Sequence, residues 1–461
     1  MLGFAVFQDI LLLQRSEMGR LRNDWRFFLL KSEQMLGADR LDMRQTGPVG
    51  CGPLIAPWSE SLRPMRQQVF DRVRASGLIS RVQLAKDLGV SPASVTTITS
   101  ELLDDRLIEE VALPRDSDSG RGRPAVALGV RGAAHLVAGM KLSDREHTAV
   151  ITDFAGRTLA QKTIVRDTRP ATLPDLLTAI ETLLDQVCAK AGIGRSDLSG
   201  LGIGVPGFVD HATGVVHWSS VLSDRKVALA AAAEQRLALP VTIDNDANLV
   251  ALAELWFGTG RDLPDFAVVT IEHGLGMGLV MNHRIYRGAQ RLGMELGHTK
   301  VQLDGALCRC GQRGCLEAYV ADYALAREAV TALSLNSRLT PPVPVLLETL
   351  FQQARDGNST ARGIFRRAGR YLALGLANVI NLFDPALIIL SGERMRYDYL
   401  YAEETLAEMS DLIIQTGRPR PLVQIHAWGD MLWAQGAAAL ALTVLSDRIL
   451  TAPARMTVAQ G

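Results

Sequence analysis

The stretch Cys308-Arg309-Cys310-Gly311-Gln312-Arg313-Gly314-Cys315-Leu316-Glu317, with His298 ten residues ahead of it, carries the densest chemistry in the chain. The 461 residues contain only five cysteines, yet three of them fall within eight positions. Thiolate and imidazole are the ligands zinc prefers, and four protein ligands close its tetrahedron. His298, Cys308, Cys310 and Cys315 therefore read as a closed, structural zinc site. Gly305, Gly311 and Gly314 let a short loop wrap one ion. Such binding orders a loop by on the order of 10 kcal/mol. With no open coordination position the ion is a staple, not a catalyst. Buried or redox-active thiols are the alternative, and the crowding of three into so cysteine-poor a chain argues against it.

Outward from this loop, carboxylates and an amide gather. Glu295 stands three residues before His298, Glu317 two residues after Cys315, and Asn245-Asp246 directly follows a short apolar strand. Converging on one pocket, such groups can pair with the vicinal hydroxyls of a sugar. Taken singly, each suits a helix cap or a solvated charge equally well, and Asp246 fits the cap of a helix beginning at Ala247. His217, Trp218 and Ser219 are candidates for the pocket wall, or equally core and surface positions.

The surrounding pattern alternates strand and helix. Strands are expected at 135–142, 148–152, 201–205 (ending in Pro206-Gly207), 241–243, 266–271, 278–282, 387–390 and 423–428. Helices are expected at 174–191, from Ala247, at 361–382, and in the alanine-rich end of the chain. This alternation predicts an α/β fold with ligands at strand C-terminal ends.

Forty-nine basic and forty-nine acidic side chains cancel, 48% of residues are hydrophobic and 21% charged. A disordered, collagen-like or disulfide-knotted chain is excluded. Zero net charge argues against a uniformly basic nucleic-acid coat but leaves room for a small DNA-reading part. No stretch offers the roughly 18 apolar residues a membrane helix needs, and the apolar start is a poor signal peptide. The expectation is a cytoplasmic protein with no membrane partner. Residues 1–60 form a poorly defined extension, or a matter of start-site choice, and the glycine- and proline-rich run at 47–53 reads as flexible.

Residues 61–131 are more regular. Leu62, Met65, Val69 and Val73 have helical spacing up to Gly77. Ser80 with Gln83 suggests a capping box, and Ser91-Pro92 opens a further helix after Gly89-Val90. Val95, Ile98 and Leu102 share its inner face. Ala93, Ser94, Thr96, Thr97 and Ser100 fall largely on the other faces, and the first four of these with the capping Ser91 are candidate DNA contacts. Strands at 108–111 and 126–128 flank a wing in which Arg121 and Arg123 suit a minor groove. The expectation is a winged helix-turn-helix that binds double-stranded operator DNA through these seven residues. Basic residues outnumber acidic ones six to two over 61–100, but only eleven to nine over 61–131. A protein-only interaction module is the alternative.

With these motifs in view, residues 60–445 resemble the ROK family of sugar kinases and transcriptional regulators. The resemblance rests on the zinc stretch and on Gly202-Ile203-Gly204-Val205-Pro206-Gly207, Asn245-Asp246-Ala247-Asn248, Glu295-Leu296-Gly297-His298 and Asn381-Leu382-Phe383-Asp384-Pro385. It implies that 132–461 form two actin-like ATPase (ribonuclease H-like) lobes with sugar in the cleft. It also implies that Asn245, Asp246, Glu295, His298 and Glu317 contact the sugar, and that His298 doubles as a zinc ligand. In kinase members the aspartate at 246 would be the base. Family kinases open with an Asp-x-Gly-Gly-Thr phosphate loop. Here Lys141 stands for the aspartate and Ser143-Asp144 for the glycine pair. The loop at 273–278 reads as a tight hairpin turn rather than a nucleotide loop. The expectation is a non-enzymatic, sugar-responsive repressor, a homodimer or dimer of dimers. Its rivals are an ATP-dependent sugar kinase with a DNA-binding head and a regulator answering to a protein partner.

Overall fold

The computed structural model describes residues 50–55, 63–112, 126–166, 169–332, 341–392, 395, 397, 403–415, 417, 421–426 and 431–451. Helix α1 (Met65–Ser76) ends at Gly77 in a positive-φ conformation, and β1 (Leu78–Ile79) follows. The Ser80 hydroxyl accepts from Gln83 N at 3.1 Å at the start of α2 (Arg81–Leu88). The reciprocal half of the expected capping box is not made, because the Gln83 side chain turns to Asp87. Gly89 adopts the left-handed conformation that closes α2. Ser91 then caps α3 (Pro92–Asp104) by accepting from Ser94 N at 3.1 Å.

Val95, Thr99 and Leu102 form the buried face of α3, with Ile98 only half-buried. Thr99 fits there because Arg81 Nε donates to its hydroxyl at 3.1 Å. Strands β2 (Ile108–Ala112) and β3 (Val126–Val130) complete an antiparallel sheet in the order β1-β3-β2. The expected wing residues Arg121 and Arg123, and the expected helical residue Leu62, lie outside the described residues.

Two five-stranded sheets carry the rest. The first contains β4 (Leu136–Lys141), β5 (Glu146–Asp153), β6 (Thr158–Val165), β7 (Leu198–Val205) and β10 (Val241–Asn245). Helix α4 (Leu173–Ala191) follows β6. A hairpin, β8 (Phe208–Asp210) with β9 (Val215–Trp218), and α5 (Leu229–Leu237) lie between β7 and β10. Helix α6 (Asp246–Phe257) leads to the second sheet: β11 (Phe266–Ile271), β12 (Leu275–Met281), β13 (Arg284–Tyr286), β14 (Leu387–Ser391) and β15 (Leu422–His426).

Between β13 and β15 come α7 (Glu317–Val320), α8 (Asp322–Ala332), α9 (Val343–Arg355), α10 (Ser359–Phe383) and α11 (Glu403–Asp411), and α12 (Met431–Thr451) follows β15. The orders β6-β5-β4-β7-β10 and β13-β12-β11-β14-β15 are the same topology twice. In each, three antiparallel strands are extended by two parallel ones. The repetition makes two lobes. Their outer strands β6 and β13 were not expected from sequence, because partly exposed edge strands carry weak apolar patterns.

Helices α6 and α12 fill the space between the lobes. α12 rests on β4 and β7, α6 on β11 and β12, and the two pack on each other. Glycine permits this closeness. Gly139 and Gly202 are register partners on β4 and β7, and a Cβ on either would lie about 2 Å from the α12 backbone, at 2.1 Å from Ala434 O and 1.9 Å from Ala437 O. A Cβ on Gly436 of α12 would lie 2.0 Å from Leu249 O of α6.

The expected flexibility of residues 47–53 is corrected for its described part. Cys51 N donates to Arg74 O at 3.0 Å, Gly52 N to Trp256 O at 2.9 Å and Leu54 N to Arg261 O at 2.9 Å. A Cβ on Gly50 would meet Ala75 O at 2.2 Å. Cys51 is buried, and burial pushes its thiol up to about 11, so it stays neutral. One apolar core runs without a break from Val69, Phe70 and Val73 of α1 through Cys51 to Trp256 and Leu445.

Gly436→Ala should lower the unfolding free energy by about 1–3 kcal/mol or more, since neither helix backbone can yield. Gly363→Ala, on α10 with nothing within 4 Å of the new methyl, should be neutral or stabilising by up to about 1 kcal/mol. Chemical denaturation of both variants checks the contrast.

Candidate functional site

The parallel strands of both lobes end at a cleft of about 520 Å³, within the range of small-molecule sites. Asn245 ends β10 and caps α6. Its side-chain Oδ1 accepts from Ala247 N at 2.9 Å, and its Nδ2 donates to Gly207 O at 2.7 Å. Asp246 therefore shares the cap: its Oδ1 also accepts from Ala247 N, at 2.9 Å. From the second lobe come Glu295 and His298, on the 3-10 turn Leu296–His298 and its preceding residue. Glu317, at the start of α7, is buried and accepts from Leu275 N at 3.2 Å and from the Tyr323 hydroxyl at 3.2 Å. All five expected sugar ligands line this one cleft. Trp218 also faces it. His217 and Ser219 do not line it, and the Ser219 hydroxyl is buried, accepting from Val221 N.

Carboxylates crowd the floor. Burial pushes Asp246 up to about 6; Asp144 adds to the shift, and Lys141 opposes both. Burial, and then the charges of Asp246 and Glu317, push Glu295 up to about 7. Lys141 Nζ lies 3.9 Å from the centre of the Trp433 ring and 3.8 Å from Glu272 Oε2 of the other lobe. A second pair, Arg287 Nη2 to Asp244 Oδ2 at 2.5 Å, also joins the lobes beneath the cleft. Trp433, Glu272, Arg287 and Tyr323 carry no sequence signal for this role. They arrive from distant segments through the folding of both sheets. Lys141 was singled out by the family resemblance, as the residue that stands for the kinase loop aspartate.

The loop beside the cleft gathers four ligand atoms. One atom each from His298, Cys308, Cys310 and Cys315 lies within 4.8 Å of all the others, so the group could hold a metal ion. Cys310 Sγ and Cys315 Sγ are 3.7 Å apart, as are Cys308 Sγ and His298 Nδ1. His298 Nε2 points the other way, 4.0 Å from Glu295 Oε2. One imidazole thus joins the thiol cluster to the cleft. Gly314, at φ 75°, is required here, since a Cβ would fall 1.8 Å from Gln302 O. Lys300, whose ammonium lies 3.0 Å from Cys315 Sγ, is a neighbour of the cluster that sequence spacing did not reveal.

A model described as the ROK family matches residues 137–444. The chain belongs to the ROK family. Among ROK relatives, the DNA-binding transcriptional dual regulator NagC of Escherichia coli (strain K12) is 30% identical over 328 residues, covering 70% of this chain and 79% of NagC. A xylose repressor of Caldicellulosiruptor bescii is 27% identical over 351 residues, covering 73% of this chain and 84% of the repressor.

Among solved structures, a ROK family transcriptional regulator described as a homolog of the E. coli MLC protein superposes with a TM-score of 0.70 at 27% identity. It covers 84% of this chain and 97% of its own. A ROK family glucokinase from Streptomyces griseus, in complex with glucose and AMPPNP, reaches a TM-score of 0.58 at 28% identity, covering 67% of this chain and 99% of its own. The α/β body thus has the ROK sugar-kinase-like, actin-like fold. None of the described helices is long and apolar enough to cross a membrane.

The raised Asp246 carboxyl has a measurable sign. Between its ordinary 3.8 and about 6, the folded chain holds a proton that the unfolded chain has released. Stability contributed by this group therefore falls as pH rises through that window, and the cost is complete above it. Asp246→Asn should melt above wild type at pH 8 and converge with it at pH 4. An equal offset at both pH values would contradict a raised carboxyl.

Proposed function

We propose that this chain is a sugar-responsive transcriptional repressor of carbohydrate uptake or catabolism genes, and not a kinase. Residues 61–131 are its winged helix-turn-helix and 132–461 its two-lobed effector domain. The observation that carries the reading is the combination of two surfaces. On α3, Ser91, Ala93, Ser94, Thr96 and Thr97 are all exposed, and α2 and α3 meet across the Gly89 turn as in DNA-reading helix pairs. In the cleft, the buried Lys141 ammonium and the Asp144 carboxylate line the site, at positions where the family resemblance puts the aspartate and the glycine pair of a kinase phosphate loop.

Support comes from relatives that carry the names N-acetylglucosamine repressor and xylose repressor. Asn245, Asp246, Glu295, His298 and Glu317 are the sugar contacts, with Trp218 as a stacking wall. Arg121 and Arg123 extend the DNA contact into the minor groove. Two chains pair so that two heads meet a double-stranded operator.

The four-ligand loop fits zinc. A tetrahedral ion with bonds of about 2.3 Å to sulfur sets ligand atoms about 3.8 Å apart, and both ligand pairs stand at 3.7 Å. Zinc there would fix the His298 ring and hold its Nε2 toward the sugar. An ATP-dependent sugar kinase carrying a DNA-binding head is the second reading, favoured only by retention of Asp246 beside the cleft.

Metal analysis should find one zinc per chain, and its removal by chelator should lower both the unfolding midpoint and sugar affinity. Double-stranded DNA selected from a random pool should bind wild type. Ser94→Glu, which adds charge to an exposed position, should weaken that binding by at least tenfold with unchanged circular dichroism. Turnover of ATP with N-acetylglucosamine, xylose or glucose would overturn the repressor reading in favour of the kinase.

A further inference from the structure

One buried guanidinium joins the N-terminal head to both helices that pack between the lobes. Arg74 of α1 is 4% exposed. Its Nη1 donates to Ser446 Oγ of α12 at 2.9 Å, and its Nη2 to Asp71 Oδ1 at 2.7 Å. Its charged carbon lies 4.4 Å from the Trp256 ring of α6. Its own carbonyl receives Cys51 N, and Gly52 N on the same segment donates to Trp256 O. Residues 50–55 therefore strap this junction from outside.

The far ends of the same two helices lie in the cleft. α6 begins at Asp246 and α12 carries Trp433 in its first turn, and both residues line the site. At 1.5 Å per residue, Asp246 to Trp256 spans about 15 Å of α6 and Trp433 to Ser446 about 20 Å of α12, from cleft to junction. α6 packs on the second lobe's sheet and α12 on the first lobe's. Any change in the angle between the lobes must displace these helices relative to each other. Arg74 touches both across their seam. A buried charge must keep its partners, so it must follow the displacement and carry α1 with it. Packed helices with discrete arrangements are the physical means of such coupling.

We propose that Arg74 is the positioning residue that converts lobe movement on effector binding into reorientation of the DNA-reading head. The proposal rests on the repressor reading above.

The test measures affinity of the full chain for the selected DNA with and without saturating sugar, by fluorescence anisotropy. The sugar is whichever of N-acetylglucosamine, xylose or glucose most raises the unfolding midpoint. Sugar affinity is measured separately by calorimetry. Wild type should change its DNA affinity by roughly 5–150-fold. Arg74→Met should bring that ratio to within about twofold while leaving sugar affinity near wild type. Ser446→Ala and Trp256→Phe, each removing one contact in a milder way, should lower the ratio partially. They carry the test if Arg74→Met does not fold. An unchanged ratio in the folded variants overturns this proposal. A wild type that binds both ligands yet shows no sugar effect overturns the repressor reading instead.

Discussion

Backbone-to-backbone contact between α6 and α12 is the constraint on which the rest of the molecule depends. At Gly436 one helix lies directly on the carbonyl of Leu249 in the other, and the paired glycines of β4 and β7 let α12 sit flat on the first sheet. Side chains at these points would push the lobes apart and widen the cleft. Instead the cleft keeps dimensions that suit a small polar molecule, and the strand ends that carry its ligands face one another. Close packing of this sort transmits displacement because it has little slack.

The cleft is unusual in its electrostatics. Three carboxylates approach a common space, and two of them are held well above the ordinary carboxylate range, Asp246 by burial and the charge of Asp144, Glu295 by burial and the charges of Asp246 and Glu317. Lys141 offsets this at Asp246, and the pairs of Lys141 with Glu272 and of Arg287 with Asp244 link the lobes. The arrangement favours partners that donate hydrogen bonds, as sugar hydroxyls do, and disfavours phosphate oxygens near Asp144. The thiol cluster supports the same wall, because His298 belongs to both.

Much of this was legible in the sequence, for physical reasons that differ by element. The thiol cluster was legible because groups that could share one metal ion must be close in space and here are also close in sequence. The buried strands β7, β10, β11 and β14 were legible because continuous apolar runs mark strands covered on both faces. Asn245, Asp246, Glu295, His298 and Glu317 converge on one cleft as expected. Edge strands β6 and β13 carry no such run, and Gln83 chose Asp87 over the capping position because local side-chain partners compete. The role of residues 50–55 was invisible, since every partner of theirs is contributed by a segment far along the chain. Gly50 in that run marks close approach rather than freedom.

The unbroken core from Phe70 through Cys51 to Trp256 bears on how such proteins diversify. A head that shares its interior with the body is not a portable cassette. Exchange of DNA-reading parts between relatives must bring the matching faces of α6 and α12, together with the strap, or leave a polar seam with mismatched shapes. On the proposed reading, a change of operator preference is reached more readily by substitutions on the exposed surface of α3 than by exchange of the whole head.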